Sequence, residues 1–326
     1  MTVRIVFDSH NLVYKPGETI TGKVVVSANG QSGGMQHTGL RVSLRGSLIL
    51  SSKGRGARSN SVLDSLSKAE RTVSILERSK DLLSPGRLIG DTMVDFSLQL
   101  IPDGGSGGRG ELFETYHGNC VSIEYVVVAE MNRTGLKRGF RTISDVIVHK
   151  PVQRPDGGGE GSGASSASGG LDGGDAIALD IRPQTVGWGS GFAGGREVPD
   201  FAIKGRIDSS RVDLGRPLTG ELWIEKGPPV EVIEVRLIRR EVVSTSDMNV
   251  KQESEAQACE IVTGDIARNV KVPIYVLLQR FLVCPSTSHT MFDVSFFLSF
   301  VVRFADGKTE EAVYNTPIEI FRFYES

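Results

Sequence analysis

Cysteine is scarce in this sequence and never paired. The three copies, Cys120, Cys259 and Cys284, are odd in number and lack close spacing, which speaks against a disulfide framework or a zinc knuckle and fits a reducing intracellular compartment. Long apolar runs are missing as well. The longest, Ile274 to Leu278 and Phe296 to Val302, are strand-sized, against the ~20 residues that a helix needs to cross a bilayer. The opening Met-Thr-Val-Arg-Ile-Val-Phe-Asp holds no charged region followed by an apolar stretch and a cleavage site, so no secretory signal is read there and any membrane association is expected to be peripheral. Strong charge of either sign is absent: 37 Lys and Arg against 39 Asp and Glu give a net charge of −2. A nucleic-acid partner, which needs a strongly basic face, is not expected. Histidine is sparse too. His10, His37, His117, His149 and His289 include no pair at ligand spacing, and no metal or cofactor is expected.

What the chain has in excess is glycine, 39 residues of 326, and it is clustered. Outside the clusters, apolar residues alternate two by two. Val121, Ile123, Tyr125 and Val127 do so, as do Val294, Phe296, Leu298, Phe300, Val302 and Phe304, each run supplying one core-facing side of a strand. Only Ser61 to Glu70, where Val62, Leu63 and Leu66 share a face, reads as a helix.

Comparing the halves is more informative. Gly17-Glu-Thr-Ile-Thr-Gly-Lys-Val-Val-Val26 and Gly215-Arg-Pro-Leu-Thr-Gly-Glu-Leu-Trp-Ile224 share the pattern Gly-x-x-apolar-Thr-Gly-x-apolar-x-apolar. In each, a turn glycine feeds an alternating strand. A second alternating strand follows in both, through Leu40, Val42 and Leu44 and through Ile233, Val235 and Leu237. A single doubling at this length means two similar domains. The composition of residues 156 to 174, almost wholly Gly, Ser, Ala and Asp, cannot bury enough surface to order itself. The sequence therefore predicts an all-β protein: a β-sandwich over 1–150, a Gly/Ser-rich, partly disordered linker over 151–198, and a second β-sandwich over 199–326.

Tests for chemistry return little. Two dinucleotide-type patterns, Gly105, Gly107, Gly110 and Gly189, Gly191, Gly194, open no helix in a βαβ unit. His117 has no nucleophile elbow or charge partner adjacent in sequence, Cys284 precedes a proline between apolar runs, and Asn132-Arg133-Thr134 carries no weight without a signal peptide. No catalytic residue is assigned. Arg133, Lys137, Arg138 and Arg141 surround Gly135 and Gly139; they read either as a solvated hairpin or as a basic tip facing anionic headgroups, where each charge adds ~1 kcal/mol.

Several segments carry a family resemblance. Val13-Tyr-Lys-Pro-Gly-Glu18, the strand after Met35-Gln-His37, the Ser84-Pro-Gly86 turn, Glu114-Thr-Tyr-His-Gly118 and Val272-Pro-Ile-Tyr275 together resemble the vacuolar sorting subunits of the vacuolar protein sorting-associated protein 26 family, nearest the Down syndrome critical region protein three branch. The resemblance covers about residues 3 to 150 and 199 to 323. It implies two tandem arrestin-like β-sandwiches and no enzyme activity. It further implies an endosomal, peripheral sorting subunit of retriever or a retromer-like complex, which recycles membrane-protein cargo. The partners implied are a helical-solenoid subunit, a phosphoesterase-like subunit and a sorting nexin or cargo adaptor, with membrane contact indirect. In related subunits a short apolar pair in a loop of the second domain docks on the solenoid. The matching residues are Ile261, Val262, Thr263, Gly264 and Asp265, unless Ile261 and Val262 form an ordinary strand end with one side chain buried. Two other readings stay open. A free arrestin-type adaptor for ubiquitin ligases would carry a Pro-Pro-x-Tyr tail, whereas the diproline here is Pro228-Pro229-Val230-Glu231. A β-sandwich enzyme would need carboxylates brought together from separate strands.

Overall fold

Two-by-two alternation produces strands throughout the computed structural model, which describes residues 2–27, 34–52, 70–102, 111–133, 139–153, 174–188, 199–278, 284–305 and 311–324. The chain divides into two compact units, Met1–Lys150 and Pro151–Ser326. The expected helix at Ser61 to Glu70 lies outside the described residues except for Glu70, which opens a strand. Both dinucleotide-type glycine patterns also lie outside them.

The first unit contains β1 Thr2–Phe7, β2 Val13–Tyr14, β3 Thr19–Ser27, β4 Met35–Ser51, β5 Glu70–Leu83, β6 Gly86–Leu88, β7 Thr92–Gln99, β8 Tyr116–His117, β9 Val121–Arg133 and β10 Phe140–Val148. One sheet runs β1-β3-β7 and the other β2-β10-β9-β4-β5, with β6 on β4 and β8 on β9. The alternation sends Ile20, Val24, Phe96 and Leu98 from the small sheet, and Leu40, Val42, Leu44, Ile123, Tyr125 and Val127 from the large one, into the buried core. Burying each such side chain contributes about 1.5–3 kcal/mol.

The second unit contains β11 Ile177–Ile181, β12 Gly187–Trp188, β13 Ala202–Ile207, β14 Arg211–Asp213, β15 Pro217–Lys226, β16 Val230–Ser244, β17 Asn249–Thr263, β18 Val272–Leu277, β19 Thr287–His289, β20 Phe292–Phe304 and β21 Ala312–Phe321. Its sheets run β11-β13-β15-β18 and β12-β21-β20-β16-β17, with β14 on β21 and β19 on β20. Setting β13, β15 and β18 against β1, β3 and β7, and β21-β20-β16-β17 against β10-β9-β4-β5, reproduces the same order. Even the short parallel pairings recur, β2 with β10 and β14 with β21. The duplicated glycine motif thus marks a duplicated fold.

The linker is shorter than the expected 151–198. Val152 bridges Phe323, β11 pairs along its length with β13, and Gly187 and Trp188 pair with Val313 and Ala312. Ile177–Ile181 and Gly187–Trp188 are strands of the second unit, and Val152 forms an isolated bridge within it. Ile177-Ala-Leu-Asp-Ile181 alternates over only five residues and follows a glycine-rich stretch, so local composition masks it.

Candidate functional site

The proposed docking residues sit at the end of β17, the edge strand of the second unit's larger sheet. Val262 pairs with Ile233 and Glu260 with Glu234, so Ile261 is the extra residue of a β-bulge. A bulge breaks the alternation and re-aims side chains. Here it buries Val262, only 4% exposed, and leaves Ile261 half-buried beside it. The expectation of an exposed Ile-Val pair is therefore corrected: Val262 belongs to the core, and Ile261, Thr263, Gly264 and Asp265 form the accessible part.

Beyond the bulge the chain turns through Gly264 at φ +83°, a backbone region that favours glycine. The Gly264 N–H donates to Glu231 O at 2.7 Å. Asp265 Oδ1 accepts from Val230 N–H at 3.2 Å and from Arg268 Nη1 at 2.9 Å. The hydrogen bond from Arg268, aided by that from Val230, holds the Asp265 carboxyl below the usual carboxylate range. Arg268 also donates to the carbonyls of Ile266, Gly227 and Pro228. The loop after β17 is thus pinned by one carboxylate and one guanidinium. The diproline contributes a carbonyl to this clamp and leads into buried Val230, so it is built into the loop and not presented as a peptide ligand.

The first unit's family motif is structural in most of its positions. Glu114, 7% exposed, accepts from Lys150 N–H at 2.8 Å. Thr115 Oγ1 accepts from Val148 N–H at 2.8 Å, and its own N–H donates to Val148 O. Together they fasten the chain where the first unit ends. Tyr125 reinforces the same segment, donating its hydroxyl to Phe113 O at 2.8 Å and accepting from Phe113 N–H at 3.2 Å.

His117 does acquire neighbours that sequence adjacency hides. Pairing of β8 with β9 sets Ser122 opposite it. Nδ1 lies 3.2 Å from Ser122 Oγ and 3.7 Å from Glu124 Oε1. Both partners face the same ring nitrogen, whereas a nucleophile relay uses the two nitrogens of the ring separately. Ser122 is moreover buried, 2% exposed, and its proton goes to Tyr116 O or Glu124. The arrangement ties down a strand.

Of the expected basic tip, Arg133 ends β9 and stacks over Phe140 at 5.7 Å, while Arg141 pairs with Glu130 at 3.0 Å. Lys137 and Arg138 lie outside the described residues. Sequence reading passed over two residues at this end of the unit, Ile89 and Met93, which are 80% and 68% exposed. The available signal was an isoleucine directly before a Gly-Asp turn. No helix is long and apolar enough to cross a membrane among the described residues.

Two comparisons bear on this geometry. The curated relative described as "Vacuolar protein sorting-associated protein 26C" from Dictyostelium discoideum is 26% identical over 319 residues, covering 95% of this chain and 95% of the relative. The family model described as "Vacuolar protein sorting-associated protein 26" matches residues 6–168 and 210–307, spanning strands of both sandwiches. With its duplicated arrestin-like fold, the chain belongs to the vacuolar protein sorting-associated protein 26 family.

Proposed function

We propose that this chain is a non-catalytic subunit of an endosomal sorting complex of the retriever or retromer-like kind, and that it holds a helical-solenoid subunit through the bulge and loop at residues 261–265. The observation that carries this reading is the local architecture: a half-buried isoleucine, re-aimed by a β-bulge, stands beside a loop already fixed by Asp265 and Arg268. Interfaces concentrate energy in a few such apolar anchors with a polar rim, and a rigid loop avoids the entropy cost of ordering on binding. Family membership supports the transport role. The phosphoesterase-like subunit and a sorting nexin or cargo adaptor would join through the same assembly, recycling cargo to the plasma membrane from the cytoplasmic face of endosomes.

The test is affinity purification of the tagged full chain from cells, with mass spectrometry. A helical-repeat sorting protein is expected from the wild type and is expected to be lost from Ile261→Asp, with the thermal transition unchanged. Recovery of that partner by a folded Ile261→Asp protein would overturn the assignment. Recovery of a ubiquitin ligase in its place would favour the free-adaptor reading.

A further inference from the structure

Strand β18 closes the second unit's smaller sheet, β11-β13-β15-β18, and among the described residues no strand pairs with its outer edge. It contains the Val272-Pro-Ile-Tyr275 segment, to which the docking loop assigns no role. Register fixes the backbone polarity of that edge. Asp208 N–H donates to Thr219 O at 3.0 Å, so the Thr219 backbone groups face β13 and turn away from β18. Tyr275 lies opposite Thr219, in a non-hydrogen-bonded pair, and its own N–H and C=O therefore point out from the edge. Pro273 and Leu277, two residues either way, share this orientation. Gln257 of β17 agrees with it, donating from Nε2 to Leu277 O at 2.8 Å. Proline suits such a position because the ladder does not need its missing N–H.

The three side chains are exposed, Tyr275 by 59% and Leu277 by 63%. The duplication supplies a comparison. In the first unit β7 holds the same place, and there Asp95, Ser97 and Gln99 lie opposite Lys23, Thr21 and Thr19, as Pro273, Tyr275 and Leu277 lie opposite Glu221, Thr219 and Pro217. A charged, polar edge resists pairing with another chain, and an apolar edge invites it.

We infer that two copies of this chain associate through antiparallel β18 edges, with Tyr275 opposite Tyr275 of the other copy. Each Tyr275 N–H then donates to the other Tyr275 O, and each Leu277 N–H to the other copy's Pro273 O. The remaining outward carbonyl, Leu277 O, lies opposite a proline with no N–H to give, and it already accepts from Gln257. Moving the two-fold one residue toward Pro273 sets Tyr275 O opposite that proline and leaves it without a donor, and moving it two residues leaves Pro273 O unpaired. Moving it toward Leu277 sets Tyr275 N–H against the carbonyl that Gln257 has taken. On the outer face the chosen register places Tyr275 beside Tyr275 and Leu277 beside Pro273, both apolar cross-strand pairs. Lys271, held by Glu221 at 2.9 Å, is not set against its own charge. The association goes beyond the sorting-subunit reading and does not rest on it.

The experiment is sedimentation velocity on the purified full chain without any partner. A single strand pairing is a small contact, so wild type is expected to pass from monomer to dimer between about 1 and 200 μM. Tyr275→Lys and Tyr275→Glu each set like charges directly opposite and should weaken association roughly tenfold, with melting temperatures unchanged because the side chain is exposed. Mixing the two variants in equal amounts should restore the dimer, since only a residue that faces its own copy makes them complementary. Leu277→Lys, which faces Pro273, should weaken association without being rescued by Tyr275→Glu. Ile143→Lys, at a residue of the first unit 52% exposed, should change nothing. A wild type that stays monomeric, a dimer that persists in both charge variants, or a mixture that fails to associate would each overturn the inference. Loss of the dimer in Ile143→Lys would move the contact to the first unit and overturn it as well.

Discussion

Gly22 and Gly220 occupy the same place in the two units. Gly22 lies opposite Phe7 and Gly220 opposite Ile207, and a Cβ built on either would overlap a neighbouring carbonyl oxygen, that of Val6 in one case and Arg206 in the other. The neighbouring Asp8 and Asp208 N–H groups donate to Thr21 O and Thr219 O, again at matching positions. The shared Thr-Gly is thus a point where two strands approach too closely for a side chain. Replacing either glycine by alanine forces backbone apart in a packed sheet, at a cost of about 1–3 kcal/mol. Urea unfolding should show Gly22→Ala and Gly220→Ala each lowering the midpoint. Gly17→Ala is expected to act differently, because no atom would obstruct its Cβ but its φ of +91° is strained for alanine.

The duplication was legible because it rests on this steric requirement and on strict alternation, both of which show in single residues. The proposed docking residues were only half legible. Alternation predicts that Ile261 and Val262 face opposite ways, but which one faces inward depends on the bulge, and no residue type marks a bulge here. Leu82 occupies the corresponding bulge of β5, since Leu40 pairs with Leu83 and Arg41 with Asp81, so the feature belongs to the repeat and becomes visible only through register. The neighbours of His117 were hidden for a related reason: they come from strand pairing. Ile177–Ile181 was hidden by composition, being a short strand bordered by glycine.

Val262 and Ile261 should therefore respond in opposite ways. Val262 is 4% exposed and packs within the second unit, so Val262→Asn buries an unsatisfied amide and should cost roughly 2–4 kcal/mol. Ile261→Asp should leave stability nearly intact. Circular dichroism melts of the two single variants make the distinction, and a double substitution would confuse loss of fold with loss of docking. A stable Val262→Asn protein would contradict the burial.

Tyr125 ties stability to high pH. Its hydroxyl is buried and engaged by the Phe113 backbone, and burial raises its pKa well above the ordinary tyrosine value, outweighing the backbone hydrogen bond. The folded value thus exceeds the unfolded one, so the contribution is complete below pH ~10 and is lost as pH rises toward the folded value. Tyr125→Phe removes this dependence and strands two backbone groups, costing about 1–3 kcal/mol at neutral pH. Denaturant titrations of both proteins at neutral pH and near pH 11 should show the wild type losing its advantage at the higher pH.

The Asp265–Arg268 clamp should affect binding more than folding. Asp265 is solvent-accessible, so its ion pair is screened and contributes little to global stability. Under the proposed docking role it fixes the loop before a partner arrives: with Asp265→Ala, Val230 N–H and Arg268 lose their common acceptor, and the loop must be ordered during association. Affinity for the helical-repeat partner should drop roughly tenfold through that ordering cost, with the melting temperature unchanged. Because the carboxyl is held below its ordinary pKa, it is ionised in folded and unfolded chains at neutral pH, and any stability it lends is lost only as pH falls below ~4. Binding titrations between pH 6 and 8 should therefore be flat for both proteins, separated by a constant gap. A gap that closed within this range would place a histidine, and not Asp265, in control of the loop.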